Sequence, residues 1–351
     1  MFSTAWLTAQ PTKKARALFP RLCTVLSLGI LGILPGTALA GQQIAIFDPS
    51  GSDGTYPSSI NNKGTIAGDF QDSDGFYHGF VRSPSGGIAA FDPKKSVETH
   101  ATALNGYGDV AGCYRDSAGV FHGFLRVADG TITDFDPAHS ADTYVIAINH
   151  SRSVVGYYLD RKYVVHGFVR TTDGMIDTFD PPGSKGTYVS GINYQGFIAG
   201  YYQDKNAVVH GYVRTADGTI TIFDPAGSAG TYVNGINHDG SITGYYQGKS
   251  IQHGFIRSPN GNMMSFDPPR SEATDPAAIS RKGAIVGHYT SRISGVHGFL
   301  RKQNGSVSVF DPEGSSGTFV TAINAHGVIA GYYKKGIYHG FVRGSRFVQE
   351  N

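Results

Sequence analysis

Residues 186–225 read GTYVSGINYQGFIAGYYQDKNAVVHGYVRTADGTITIFDP. The stretch holds four short apolar runs: TYVSGIN, FIAGYYQ, VVHGYVR and TITIFDP. None carries an apolar stripe at helical spacing, and each is of strand length. The breaks NYQG and TADG put glycine where a tight hairpin needs positive φ, and Pro225 ends the last run by withholding a donor. The runs lack clean apolar/polar alternation, as expected of strands covered on both faces.

The same unit recurs along the chain. FDP begins at Phe47, Phe91, Phe135, Phe179, Phe223, Phe266 and Phe310, and His-Gly-aromatic begins at His78, His122, His166, His210, His253, His297 and His339. A repeat of this length with four strands predicts an all-β fold, a seven-bladed β-propeller with four antiparallel strands per blade. A β-solenoid is the weaker alternative, since solenoids use shorter coils and dedicated caps. The segment 41–49, GQQIAIFDP, is a fourth strand without the first three, and the last copy has three strands followed by GSRFVQEN. Closure of the last blade by the N-terminal strand is therefore expected, with Arg346 to Gln349 as the competing fourth strand.

Residues 1–40 are of a different kind. A basic segment, PTKKARALFPR, precedes the apolar run LCTVLSLGILGIL (22–34), and Ala38-Leu39-Ala40 precedes Gly41. This is the pattern of a secretory signal peptide cleaved near Ala40/Gly41, with a core too short to span a bilayer. The expected mature chain, 41–351, is one propeller domain, secreted to the periplasm or beyond, with no transmembrane segment. The signal segment contains Lys13, Lys14, Arg16 and Arg21 and no acid, so of 29 Lys+Arg in the full chain 25 face 27 Asp+Glu in the mature one. That balance leaves no basic footprint for nucleic acid. A single cysteine, Cys113, remains, which excludes an internal disulfide framework and suits a small buried hydrophobe.

The periodic His-Gly-Phe…Arg unit resembles the HAF-type extracellular repeat family of bacterial secreted proteins, with glycine where the family name has alanine. The resemblance covers nearly the whole mature chain. It implies a secreted, propeller-like repeat protein and carries no catalytic residues across.

Each of the first six histidines precedes an aspartate by fourteen residues, as His166 precedes Asp180, and each such aspartate precedes a threonine by seven, as Asp180 precedes Thr187. The midpoint of the His–Asp spacing falls in the glycine turn, so the two should face each other across a hairpin. Thr, His and Asp are the residue types of a nucleophilic triad. Repetition in every copy favours a structural hydrogen-bond network instead. The arginine four residues after each histidine (Arg82, Arg126, Arg170, Arg214, Arg257, Arg301, Arg343) is expected to have a structural role, such as pairing at the far end of the hairpin.

Function is then sought where copies differ. The residue after the repeated threonine is Tyr56, His100, Tyr144, Tyr188, Tyr232, Asp275 or Phe319. A ring of aromatics at the start of the innermost strands suits stacking on sugar faces, and packing between blades is the competing role. The leading expectation is a monomeric binding or interaction module for an extracellular glycan, protein or cell-envelope component, with no cofactor and no metal. The alternative is an extracellular hydrolase or lyase on a polysaccharide, using His100, Asp275 and His288, the last standing where most copies have the first Tyr of GYY. Asp72-Ser73-Asp74-Gly75 hints at calcium but lacks the remaining ligands.

Overall fold

The computed structural model describes residues 43–344. The described residues are all-β, with 28 strands in repeated four-stranded antiparallel sheets. β1 (Ile44–Phe47) precedes the first complete set. β2 (Gly54–Ile60), β3 (Ile66–Gln71), β4 (Tyr77–Arg82) and β5 (Ile88–Phe91) pair in that order. So do β6 (Ser96–Leu104), β7 (Val110–Asp116), β8 (Phe121–Arg126) and β9 (Ile132–Phe135). β10 (Ser140–Ile148), β11 (Val154–Asp160), β12 (Val165–Arg170) and β13 (Ile176–Phe179) repeat the order. The quoted stretch supplies β14 (Gly186–Ile192), β15 (Ile198–Gln203), β16 (Val209–Arg214) and β17 (Ile220–Phe223). Next come β18 (Thr231–Ile236), β19 (Ile242–Gln247), β20 (Gln252–Arg257) and β21 (Met263–Phe266). β22 (Ser271–Ile279), β23 (Ile285–Ser291), β24 (Val296–Arg301) and β25 (Val307–Phe310) follow. β26 (Thr318–Ile323), β27 (Ile329–Lys335) and β28 (Ile337–Arg343) end the described chain, and β1 pairs antiparallel with β28, Phe47 opposite Gly340. The competing strand, Arg346 to Gln349, lies outside the described residues.

The turns follow the sequence. Gly196 and Gly218, in NYQG and TADG, have φ of 83° and 93°, a region costly for a residue with a Cβ. The Asn193 side-chain oxygen accepts the Phe197 amide at 2.9 Å and closes the first of these turns.

The sheets are joined by the repeated motif itself. The aromatic of each His-Gly-aromatic unit is fully buried: Phe80, Phe124, Phe168, Tyr212, Phe255, Phe299 and Phe341. Each meets, edge to face, the FDP phenylalanine of the preceding repeat, as Phe135 meets Phe168 at 6.2 Å and Phe47 meets Phe80 at 6.1 Å. Such pairs add about 0.5–1.5 kcal/mol beyond burial. Glycine after the histidine is required by the phenylalanine opposite it in its own sheet: a Cβ on Gly167 would lie 2.8 Å from the Phe179 ring, and one on Gly340 would lie 3.0 Å from Phe47. The arginines bond at the hairpin end as expected, Arg82 to the Ser83 carbonyl at 3.3 Å and Arg170 to the Thr171 carbonyl at 3.4 Å, and they also reach the next sheet. Each guanidinium lies over the FDP phenylalanine of the preceding repeat, at 4.8 Å for Arg82 on Phe47, 5.1 Å for Arg170 on Phe135 and 4.2 Å for Arg343 on Phe310. The arginine therefore clamps one sheet to the next, a contact that the symmetry of a single hairpin does not encode.

The first strands also lie against one another in chain order, and β26 lies against β2. Side chains bond across these junctions: Ser58 donates to the Ala101 carbonyl at 2.6 Å, Ser190 to Val233 at 2.6 Å and Thr321 to Pro57 at 2.8 Å. The turn asparagines do the same, with Asn61 donating to the Asn105 carbonyl at 3.1 Å and Asn324 to the Asn61 carbonyl at 3.0 Å.

Candidate functional site

The repeated polar residues form one kind of cluster. Histidine Nδ1 lies 2.7 Å from Asp180 Oδ2 at His166, 2.6 Å from Asp267 at His253 and 2.8 Å from Asp48 at His339. The carboxylate can only accept, so Nδ1 carries the proton. The other oxygen of the same carboxylate accepts the threonine hydroxyl, at 2.5 Å for Thr143–Asp136 and 2.6 Å for Thr55–Asp48; Thr187 and Asp180 are bonded alike. The aspartate is thus the hub. A nucleophilic triad needs the hydroxyl on the histidine, and here both donors face the carboxylate. The imidazole is further fixed against the second aromatic of the GYY segment, as His166 against Tyr158 at 5.3 Å.

In the first four complete repeats a second carboxylate faces Nε2: Asp72 at 3.2 Å from His78, Asp116 at 3.5 Å from His122, Asp160 at 3.8 Å from His166 and Asp204 at 3.9 Å from His210. At His78 both carboxylates are within hydrogen-bond distance, and only a protonated ring can donate to both. At His78 burial alone would lower the basicity, but the bonds to Asp92 and Asp72 outweigh it and raise the pKa above 6.5; Asp136 and Asp116 do the same for His122. Asp72 also accepts the Asp74 and Phe76 amides at 3.0 and 2.9 Å, so the DSDG carboxylate is committed to its own turn.

The second feature is an aromatic belt. Tyr56, His100, Tyr144, Tyr188, Tyr232, Asp275 and Phe319 stand at one register position on the first strands, all half-buried. Opposite them on the second strands stand Asp69, Cys113, Tyr157, Tyr201, Tyr245, His288 and Tyr332. The rings touch both along a sheet and between sheets. Tyr144 meets Tyr157 at 5.4 Å, Tyr157 meets Tyr188 at 5.4 Å, Tyr188 stacks on Tyr201 at 5.0 Å, and Tyr201 meets Tyr232 at 5.3 Å. The belt continues through Phe121 and Tyr77, which the sequence reading missed: Phe121 lies 5.1 Å from Tyr144 and Tyr77 lies 5.1 Å from His100. Tyr338 joins Tyr56 to Phe319 at 5.5 and 6.2 Å. Packing between sheets, the competing role, is therefore part of what these rings do. Burial raises the phenol pKa of Tyr144, Tyr157 and Tyr201, so they stay protonated donors. Cys113 is buried in this layer with its thiol pushed up to about 12 by burial, and so is an inert apolar filler.

Asp275 takes the place of a ring. Its Oδ1 accepts Asn234 Nδ2 at 2.8 Å, and its Oδ2 lies 3.6 Å from His288 Nε2. Burial raises the Asp275 pKa and lowers that of His288, against their mutual attraction. His100 is not part of this pair. Its Nδ1 lies 3.5 Å from Asp69 Oδ2 and its ring meets Tyr77 and Phe121. Going round the first strands, β26 and β2 separate β22, which bears Asp275, from β6, which bears His100. The three residues named for an enzyme thus divide into a pair and a single histidine. Asp69, partner of His100, went unnoticed because one copy alone has an acid at that position.

No family model matches the chain, and no curated protein matches it in sequence. Solved structures do match in fold. Selenomethionine-substituted virginiamycin B lyase from Staphylococcus aureus is similar at a TM-score of 0.59 and 15% identity, covering 86% of this chain and 99% of that one. A catalytically inactive variant of the same lyase with quinupristin gives 0.60 and 16%, with the same coverage. The β-propeller domain of the Trilobed protease from Pyrococcus furiosus gives 0.61 and 11%, covering 82% of this chain and 95% of that domain. The likeness establishes a β-propeller fold for this chain. No helix among the described residues is long and apolar enough to cross a membrane.

Proposed function

We propose that this chain is a seven-bladed propeller, closed by β1 and exported after loss of residues 1–40, that acts as a glycan-binding module of the cell envelope or its surroundings. The observation that carries the reading is the aromatic belt, interrupted at Asp275, whose half-buried tyrosines combine apolar ring surface with protonated hydroxyls. Networks repeated in every blade hold the backbone beneath it, so little ordering is needed on binding. The resemblance of the His-Gly-Phe…Arg unit to HAF-type extracellular repeats supports export. The test is a screen of the purified protein against polysaccharides and envelope fractions. Saturable binding that weakens in Tyr144→Ala and Tyr188→Ala is expected, and binding indifferent to both variants contradicts the reading.

A second reading, cleavage of an extracellular polysaccharide, is favoured by the Asp275–His288 pair, 3.6 Å apart within the belt. Any polysaccharide turnover should then disappear in His288→Ala and survive in His100→Ala.

A further inference from the structure

The turns between first and second strands carry a separate set of exposed side chains. Tyr107 and His150 stack with centroids 4.3 Å apart, His150 meets Tyr194 at 5.9 Å, and Tyr194 meets His238 at 5.2 Å. These residues come from consecutive repeats. Tyr107 and Tyr194 are 51% and 55% exposed, far more than structural aromatics need to be. Arg152 lies over Tyr107 at 5.6 Å while its guanidinium is held by the buried Asp109 at 2.7 Å. Asn149 donates to the Asn193 carbonyl at 3.3 Å and Asn193 to the His238 carbonyl at 3.5 Å, and Arg152 ties its turn to Asp109 of the preceding repeat, so the turns of the arc are fixed to one another.

The arc leads into a depression. His238 stands between Asn237 and Asp239, which line an open hollow of about 550 Å³ with Arg281, Lys282, Gln303 and His326. Arg281, Lys282 and His326 are exposed there and face one exposed acid, Asp239. On the same side the turns between third and fourth strands pack against the first set, as Ala128 bonds to Asp109 at 3.1 Å. These outer turns expose Asp129, Asp173 and Asp217.

We propose that this surface binds an acidic oligosaccharide, its sugar rings along Tyr107, His150, Tyr194 and His238 and a carboxylate or sulfate at Arg281 and Lys282. Aromatic side chains suit sugar faces and edges, and the outer aspartates accept hydroxyls. The arginine fork pairs with a planar anion. The same aspartates repel a strand with a charge on every residue more than one with a charge on every second sugar, so a nucleic acid strand fits less well. The site is distinct from the belt and does not depend on it.

The experiment is a calorimetric titration of the purified protein with a hexasaccharide of alternating uronate and neutral sugar. A neutral hexasaccharide and a single-stranded oligonucleotide serve as comparators. Saturable binding of the acidic sugar is expected. It should weaken about tenfold in an Arg281→Ala/Lys282→Ala double variant and about threefold to tenfold in Tyr194→Ala, and stay unchanged in Lys205→Ala, an exposed cation in the turn between β15 and β16. These side chains are exposed, and unchanged melting temperatures verify that the variants are folded. The proposal is overturned by absence of saturable binding, by equal binding of the neutral sugar, by tighter binding of the oligonucleotide, or by folded variants of full affinity. Loss through Tyr188→Ala instead would move the ligand to the belt and overturn this site alone.

Discussion

His78 stands between Asp92 at 2.8 Å and Asp72 at 3.2 Å, and that geometry has a pH signature. The pKa of His78 and of His122 is raised above 6.5, so their contribution to stability is complete below 6.5 and is lost as pH rises through the folded values. Asp72, held chiefly by the Phe76 amide, and Asp116, held chiefly by the Val120 amide, lie below 3.8, so their contribution is complete above 3.8 and is lost as pH falls through the folded values. Calorimetry across pH should find the highest melting temperature between 3.8 and 6.5. Replacing Asp72 and Asp116 with asparagine should flatten the decline above that window, and a melting temperature that climbs from neutral to alkaline pH would contradict the assignment. His166→Ala leaves Asp180 with Thr187 alone and should cost about 1–3 kcal/mol in chemical denaturation.

The third and fourth strands of each sheet form the element on which the molecule is built. Gly167→Ala places a Cβ 2.8 Å from the Phe179 ring and should destabilise by about 1–3 kcal/mol, with urea midpoints as the measure. Much of this element was legible. The His–Asp spacing of fourteen centres on the glycine turn, and the bonded pairs stand where hairpin symmetry puts them. The arginine's place at the hairpin end was legible, as Arg170 donates to the Thr171 carbonyl, but its second partner, Phe135, belongs to the neighbouring sheet, and register between sheets leaves no mark in one repeat. The belt was legible at Tyr144, Tyr188 and Tyr232, whereas Tyr77 and Phe121 enter it from third strands and were not seen. The arc of Tyr107, His150, Tyr194 and His238 went unnoticed because those turn positions vary among copies. A signal was present: His150, Tyr194 and His238 each follow a turn asparagine in consecutive repeats.

Across the whole molecule, the two ends of the described chain meet. Asp48, near the start, accepts His339, near the end, at 2.8 Å, and Phe47 receives Phe80 at 6.1 Å and Arg82 at 4.8 Å. Deleting residues 1–50 removes β1 and leaves β28 with a bare edge, so scanning calorimetry should show a larger fall in melting temperature than His166→Ala produces. Labour is divided within this scaffold: the repeated histidine and its aspartate tie sheet to sheet, and the belt is the proposed ligand surface. The direct test is the melting temperature of wild type, His166→Ala and Tyr188→Ala, each with and without a saturating glycan taken from the screen. His166→Ala should melt several degrees lower than wild type and keep the ligand-induced rise, whereas Tyr188→Ala should lose the rise. Loss of the rise in His166→Ala with its retention in Tyr188→Ala would contradict the account.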